Sequence, residues 1–211
     1  DIALLGGKIS DIGSFGESEA KEIINAENMI VCPGFIDPHT HYDAQLFWDP
    51  YASPSNLHGV TSVVMGNCGF SIAPISDPSD AEYLGAMLVQ VEGMSAEALR
   101  LGVDWEWNSF EDYLERLDGR VGVNVAAMVG HCALRRTVMK EDAVKREATV
   151  DEIAKMQQLL GEALEAGGLG FSTSRSFTHT DGDGLPVPSR VASVEEVLAL
   201  AEVCEKYPGT T

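Results

Sequence analysis

Apolar positions along this chain follow two periods in turn, and the change from one to the other lays out its elements. Over residues 1–16, short apolar stretches are punctuated by Gly6-Gly7 and Gly13, and the Ile23-Ile24 stretch of residues 22–26 continues in that style. Glycine reaches the positive φ that a tight turn demands, so this part predicts short strands joined by turns. Near residue 30 the pattern becomes strand followed by helix. Apolar, β-branched runs predict strands at residues 30–36 (interrupted by Pro33-Gly34 and ending at Asp37), 61–65, 121–129 and 169–172.

Helices are predicted over residues 81–91, 109–117, 149–166 and 193–206. Ser109 precedes Asp112 by three residues, Thr149 precedes Glu152, and Ser193 precedes Glu196. That spacing lets each hydroxyl and each carboxylate satisfy the other's free backbone N–H, the capping-box device. In the long helix, Ile153, Met156, Leu160, Ala163 and Leu164 share one face, and Gly167-Gly168 ends it with a left-handed cap. In the last helix, Val194, Val197, Leu198 and Ala201 are expected to face inward.

Strands alternating with amphipathic helices imply βαβ units and a parallel sheet, hence an α/β fold. Four such units fit a doubly wound sheet or half of a (β/α)8 TIM barrel. The barrel gains weight because His39, His41, Cys68, His131 and Ser174-Arg175 all follow strand C-termini, the end where barrels keep their chemistry. No strand runs into the GxGxxG of a dinucleotide fold.

Composition narrows the class. The chain has 211 residues, 45% of them hydrophobic, and a formal net charge of −19. That apolar fraction is enough for a packed core. The acidity excludes nucleic acid or an anionic membrane as partner, since both require clustered Lys and Arg. No apolar run approaches the roughly 18 residues of a bilayer span. Cys32, Cys68, Cys132 and Cys204 are scattered, with no CxxC pair, which favours a reducing, cytoplasmic setting over a disulfide framework.

The sharpest motif is His39-Thr40-His41, preceded by Pro33-Gly34-Phe35-Ile36-Asp37-Pro38. On extended chain, residues i and i+2 project to the same side, so two imidazoles can grip one divalent ion such as Zn, Fe, Ni or Cu. The competing reading is a half-buried pair that only hydrogen-bonds.

That segment, continued by Tyr42-Asp43-Ala44-Gln45, resembles the metal-binding signature of the amidohydrolase superfamily. With Gly66-Asn67-Cys68-Gly69-Phe70-Ser71-Ile72-Ala73-Pro74 and Val129-Gly130-His131-Cys132-Ala133-Leu134-Arg135, the chain resembles the N-acyl-D-amino-acid deacylases within it. The resemblance implies a (β/α)8 barrel beside a small β-sandwich. Residues 1–30 are then expected to be part of the sandwich, and residues 31–211 the first half of the barrel.

It further implies one or two Zn2+ ions, held here by His39, His41 and Cys68. The implied activity is hydrolysis of an N-acyl-D-amino acid to a carboxylate and a free D-amino acid. Many relatives bridge two metals with a carboxylated lysine after strand four, but here that strand runs into Thr173-Ser174-Arg175, so the cysteine-type site is expected. The family's general-base aspartate and two further histidines are expected beyond residue 211, since a whole barrel needs about 250 residues. The chain is thus expected to be an N-terminal fragment, inactive alone, whose open edges a second copy or a complementary chain would cover.

Weaker expectations attach to other side chains. Arg175 and His131 are candidates for substrate binding, with a loop arginine and a satisfied core histidine as the alternatives. His179 lies in a polar, faintly calcium-like loop (residues 178–184) and reads as a mobile active-site flap or plain loop. His58 reads as structural, and Asp43 and Gln45 as supports for the metal pair. Another amidohydrolase reaction (cyclic-amide hydrolysis or deamination) and a non-catalytic scaffold remain the alternative functions.

Overall fold

A computed structural model describes residues 1–16 and 20–211. They form two units, Asp1–Pro33 and Gly34–Thr211, so the division falls slightly beyond residue 30. Residues 17–19 of the expected first domain lie outside the described residues. In the first unit, β1 (Ile2–Leu5) pairs antiparallel with β2 (Lys8–Ile12). Gly6 and Gly7 make the turn at φ 59° and 75°, values that side chains with a Cβ rarely adopt. Residues 22–26 form no strand, contrary to expectation. Ile23 and Ile24 are 59% and 81% exposed and find no ladder partner among the described residues, and an extended run without a partner has nothing to hold it.

The second unit carries, in chain order, β3 (Phe35–Asp37), β4 (Val60–Met65), α1 (Pro78–Glu92), α2 (Ala96–Gly102), α3 (Phe110–Leu117), β5 (Asn124–Gly130), α4 (His131–Met139), α5 (Val150–Glu165), β6 (Gly170–Ser172) and α6 (Val194–Cys204). The four strands lie in sequence order, β3-β4-β5-β6, and every pairing is parallel. This is an α/β unit with the strand order of the opening half of a (β/α)8 barrel. Thr211 lies alongside β6, its N–H donating to Leu169 O while it accepts from Phe171 N–H.

The first barrel strand is short, as the Pro33-Gly34 interruption implies: it runs from Phe35 to Asp37, since Pro33 has no N–H for a ladder. The crossover from β3 to β4 is built from 3-10 turns, Gln45–Phe47 and Ser55–His58. Helix α6 is rotated from its expected orientation: Val194 and Leu198 are exposed, whereas Glu196, Leu200 and Val203 are buried.

The helix ends otherwise follow the capping pattern. Ser109 with Asp112 and Thr149 with Glu152 form reciprocal capping boxes. Ser193 Oγ accepts from Glu196 N–H, but the Glu196 carboxylate turns into the core instead of back to the cap. On α5, Met156, Leu160, Ala163 and Leu164 are buried, and full burial of such a Leu or Met contributes about 1.5–3 kcal/mol. The strand ends at Asp37, Met65, Gly130 and Ser172 lie on one side of the sheet, so the segments following them share it.

Candidate metal centre

His39 and His41 follow the end of β3. Between them Thr40 is buried and pinned to β4, with its N–H and its Oγ1 both donating to Val64 O at 2.9 and 2.7 Å. Alternation then leaves the two imidazoles on the other side of the chain, with ring centroids 5.5 Å apart.

Cys68 arrives from the turn after β4. It sits at φ 56°, within a turn whose Gly66 and Gly69 also have positive φ. Left-handed backbone costs a residue with a Cβ about 1–2 kcal/mol, so the surroundings must impose it. A side chain at Gly66 would bring a Cβ within 2.1 Å of Met128 O, so only glycine lets this turn close on β5. Cys68 Sγ reaches 3.3 Å from His39 Nε2.

One donor atom from each of His39, His41 and Cys68 lies within 4.8 Å of the others. Tetrahedral zinc, with Zn–N near 2.0–2.1 Å and Zn–S near 2.3 Å, requires donors about 3.3–3.8 Å apart. The Cys68–His39 pair stands at such a spacing, and the chemistry of the set fits zinc, since imidazole and thiolate are preferred zinc ligands. His41 Nδ1 is buried without a hydrogen-bond partner. Burial, then the neighbouring His39 and His179, hold the His41 pKa down at about 4, so its imidazole is neutral and ready to ligate at ordinary pH. Burial and the nearby Glu92 carboxylate push the Cys68 thiol above its usual value, and a bound cation would reverse that.

Glu92 is a residue that sequence reasoning missed. It ends α1, 51 residues after His41 in the chain, and its Oε1 stands 3.5 Å from His41 Nε2. Burial raises its pKa, against the pull of His39. A carboxylate at a helix C-terminus opposes the helix dipole, and that misfit was the available signal. Glu92, Gly93 and Met94 close one side of a cleft of about 460 Å³ that contains both histidines. A larger cavity of about 680 Å³ between α1 and the Trp105–Trp107 segment has no histidine or cysteine in its lining.

The remaining candidates divide. Asp43 is fully buried and supports the cysteine turn rather than the imidazoles, its Oδ2 accepting from Gly66 N–H at 3.0 Å. Burial raises its carboxyl to about 7, although the Gly66 hydrogen bond opposes the shift. Gln45 is occupied with Asp49 and Ser53. His58 is exposed at the opposite end of β4. Arg175 is exposed in the loop after β6, on the side of the strand ends.

His131 departs from its expected role as a substrate contact. It is the first residue of α4, it is 0% exposed, and both nitrogens are occupied: Nε2 with Glu196 Oε1 at 2.8 Å and Nδ1 with Thr173 Oγ1 at 2.9 Å. Glu196 also accepts from the buried Arg135 guanidinium. Although burial opposes it, the hydrogen bonds from His131 and Arg135 hold the Glu196 carboxyl below its ordinary range. This buried triad is what rotates α6. The His179 ring packs 4.9 Å from Phe70, which in turn lies 6.0 Å from His41. The calcium-like look of that loop is corrected by Asp181, whose carboxylate accepts from Asp183 N–H, Leu185 N–H and Tyr83 O–H.

The sequence profile of the Amidohydrolase family matches residues 22–211. A D-aminoacylase of Alcaligenes xylosoxydans xylosoxydans is 34% identical over 205 residues, covering 97% of this chain and 37% of that protein. A crystal structure of D-aminoacylase superposes with a TM-score of 0.63 at 37% identity, covering 84% of this chain and 33% of that one. The structure of an N-acyl-D-glutamate deacylase from Bordetella bronchiseptica, complexed with zinc and a phosphonate inhibitor, gives a TM-score of 0.56 at 33% identity, over 82% of this chain and 32% of that one. The chain thus spans about a third of the length of these relatives. With a match over nearly its whole extent, the chain belongs to the amidohydrolase family.

Proposed function

We propose that the protein to which this chain belongs is a zinc-dependent hydrolase that cleaves the amide bond of N-acyl-D-amino acids, releasing a carboxylate and a free D-amino acid. The observation that carries this reading is the convergence of His39, His41 and Cys68 donor atoms within 4.8 Å. The relatives' names, D-aminoacylase and N-acyl-D-glutamate deacylase, support the substrate class. Bound zinc supplies a Lewis acid that polarises a carbonyl oxygen and brings the pKa of water toward 7.

The chain's own residues bind and orient. His39, His41 and Cys68 hold the ion at the strand ends. Asp43 fixes the Cys68 turn through Gly66 N–H. Glu92 faces His41 and balances the positive charge of the occupied centre. Arg175, exposed at the same end of the sheet, has the guanidinium fork suited to a substrate carboxylate.

A complete (β/α)8 barrel in the whole protein, a second copy or complementary chain along the open sheet edges, and a cytoplasmic setting complete the proposal. Free cysteines at 32, 68, 132 and 204 support the last of these. No helix among the described residues is long and apolar enough to cross a membrane. The test is amine release by the zinc-loaded, full-length protein from matched N-acyl-D- and N-acyl-L-amino acids. Turnover confined to the D series is expected. Zinc binding without amine release from any member would defeat the assignment.

A further inference from the structure

The hydroxyl of Ser172 bridges the two ends of the turn that presents Cys68. Ser172 is the last residue of β6, it is 5% exposed, and it stands more than a hundred positions from the turn in sequence. Gly69 N–H donates to its Oγ at 3.0 Å, and the same Oγ donates to Gly66 O. These are the first and last residues of Gly66-Asn67-Cys68-Gly69. The turn is held from the other side as well, where Gly66 N–H donates to the buried Asp43 and Asn67 Nδ2 donates to Thr40 O and Val64 O.

Cys68 itself has φ 56°, a conformation its Cβ disfavours and which therefore persists only where surrounding contacts over-determine it. With Asp43 holding the β3 side and Ser172 the β6 side, the turn has little freedom to relax. We propose that Ser172 is a positioning residue for the metal centre, whose hydroxyl locks the left-handed turn and so sets the Cys68 thiol against His39 and His41. This rests on the reading of Cys68 as a metal ligand. Groups that orient a ligand without touching the metal typically govern affinity by about 10–100-fold.

The test uses the cobalt-substituted, full-length protein, with cobalt affinity by chelator competition and the thiolate-to-cobalt charge-transfer band as readouts. Ser172→Ala is expected to weaken cobalt binding about tenfold or more and to diminish the band, and Ser172→Thr, which keeps the hydroxyl, to restore both. Ser71→Ala is the control for a lost buried hydroxyl, because Ser71 Oγ bonds Gly130 N–H and Ala73 O and not the cysteine turn; it is expected to leave both readouts unchanged. If Ser172→Ala does not accumulate folded, the isosteric pair Ser172→Thr and Ser172→Val carries the comparison, and Val is expected to behave as Ala. Wild-type affinity and band in the Ala variant, or no difference between Thr and Val, would overturn the proposal. Cys68→Ala separates the two layers. Loss of the band there, with Ser172→Ala unaffected, refutes the positioning role alone, whereas an unchanged band refutes the ligand reading and the proposal with it.

Discussion

Cys68 Sγ stands 3.3 Å from His39 Nε2 although 29 residues separate them in the chain. The parallel register of β3 on β4 puts Asp37, the last residue of β3, opposite Val63, and Thr40 carries the pairing on to Val64 O, so the segment after β3 runs beside the end of β4, from which Cys68 follows. The pairing is thus a property of the sheet, and it brings together donors of the right hardness for zinc.

Glu92 provides the first prediction. Its Oε1 lies 3.5 Å from His41 Nε2, close enough to orient the ring and offset cation charge. Glu92→Ala is expected to weaken zinc binding by the full-length protein roughly tenfold, with Glu92→Gln intermediate. Chelator competition measures it, and unchanged affinity in the Ala variant would remove Glu92 from the site.

The buried triad makes a second. Removing Glu196 leaves Arg135 buried with its charge uncompensated, although Ala143 O and Arg146 O still accept from it. Breaking a buried pair in this way costs about 3–5 kcal/mol. Glu196→Ala should therefore lower the urea midpoint sharply, while Glu195→Ala, on the exposed face of α6, should barely move it. Equal small shifts would show that the triad is not structural.

A third concerns acid. Hydrogen bonds from Arg146 and the Thr149 cap hold Glu152 at about 2, well below its ordinary 4.5. The folded state therefore binds its proton later than the unfolded chain does. The stability this group contributes is present above about pH 4.5 and is lost as pH falls toward 2. Thermal unfolding followed between pH 6 and 3 should show a shallower fall for Glu152→Gln than for wild type. Parallel curves would contradict the linkage.

Much of this was legible in the sequence because it is local. Ser109 with Asp112 and Thr149 with Glu152 announce helix starts through three-residue spacing, and His39-Thr40-His41 announces a shared face through spacing of two. What was not legible depends on distant partners. No spacing rule links Glu92 to His41 or Ser172 to Gly66. α2 is a single short helix in a long crossover, and α4 begins directly at His131 with no side-chain cap to mark it. The face of α6 was misread for the same reason. Glu196 has the position of a capping acid, yet its carboxylate is drawn inward by His131 and Arg135, an attraction invisible along the helix itself.

X-ray absorption at the zinc edge of the loaded, full-length protein tests the central assignment most directly. One sulfur at about 2.3 Å beside nitrogen at about 2.0–2.1 Å is the expected shell, with the sulfur disappearing in Cys68→Ala. A shell of nitrogen and oxygen alone, identical in wild type and Cys68→Ala, would contradict a centre built from His39, His41 and Cys68.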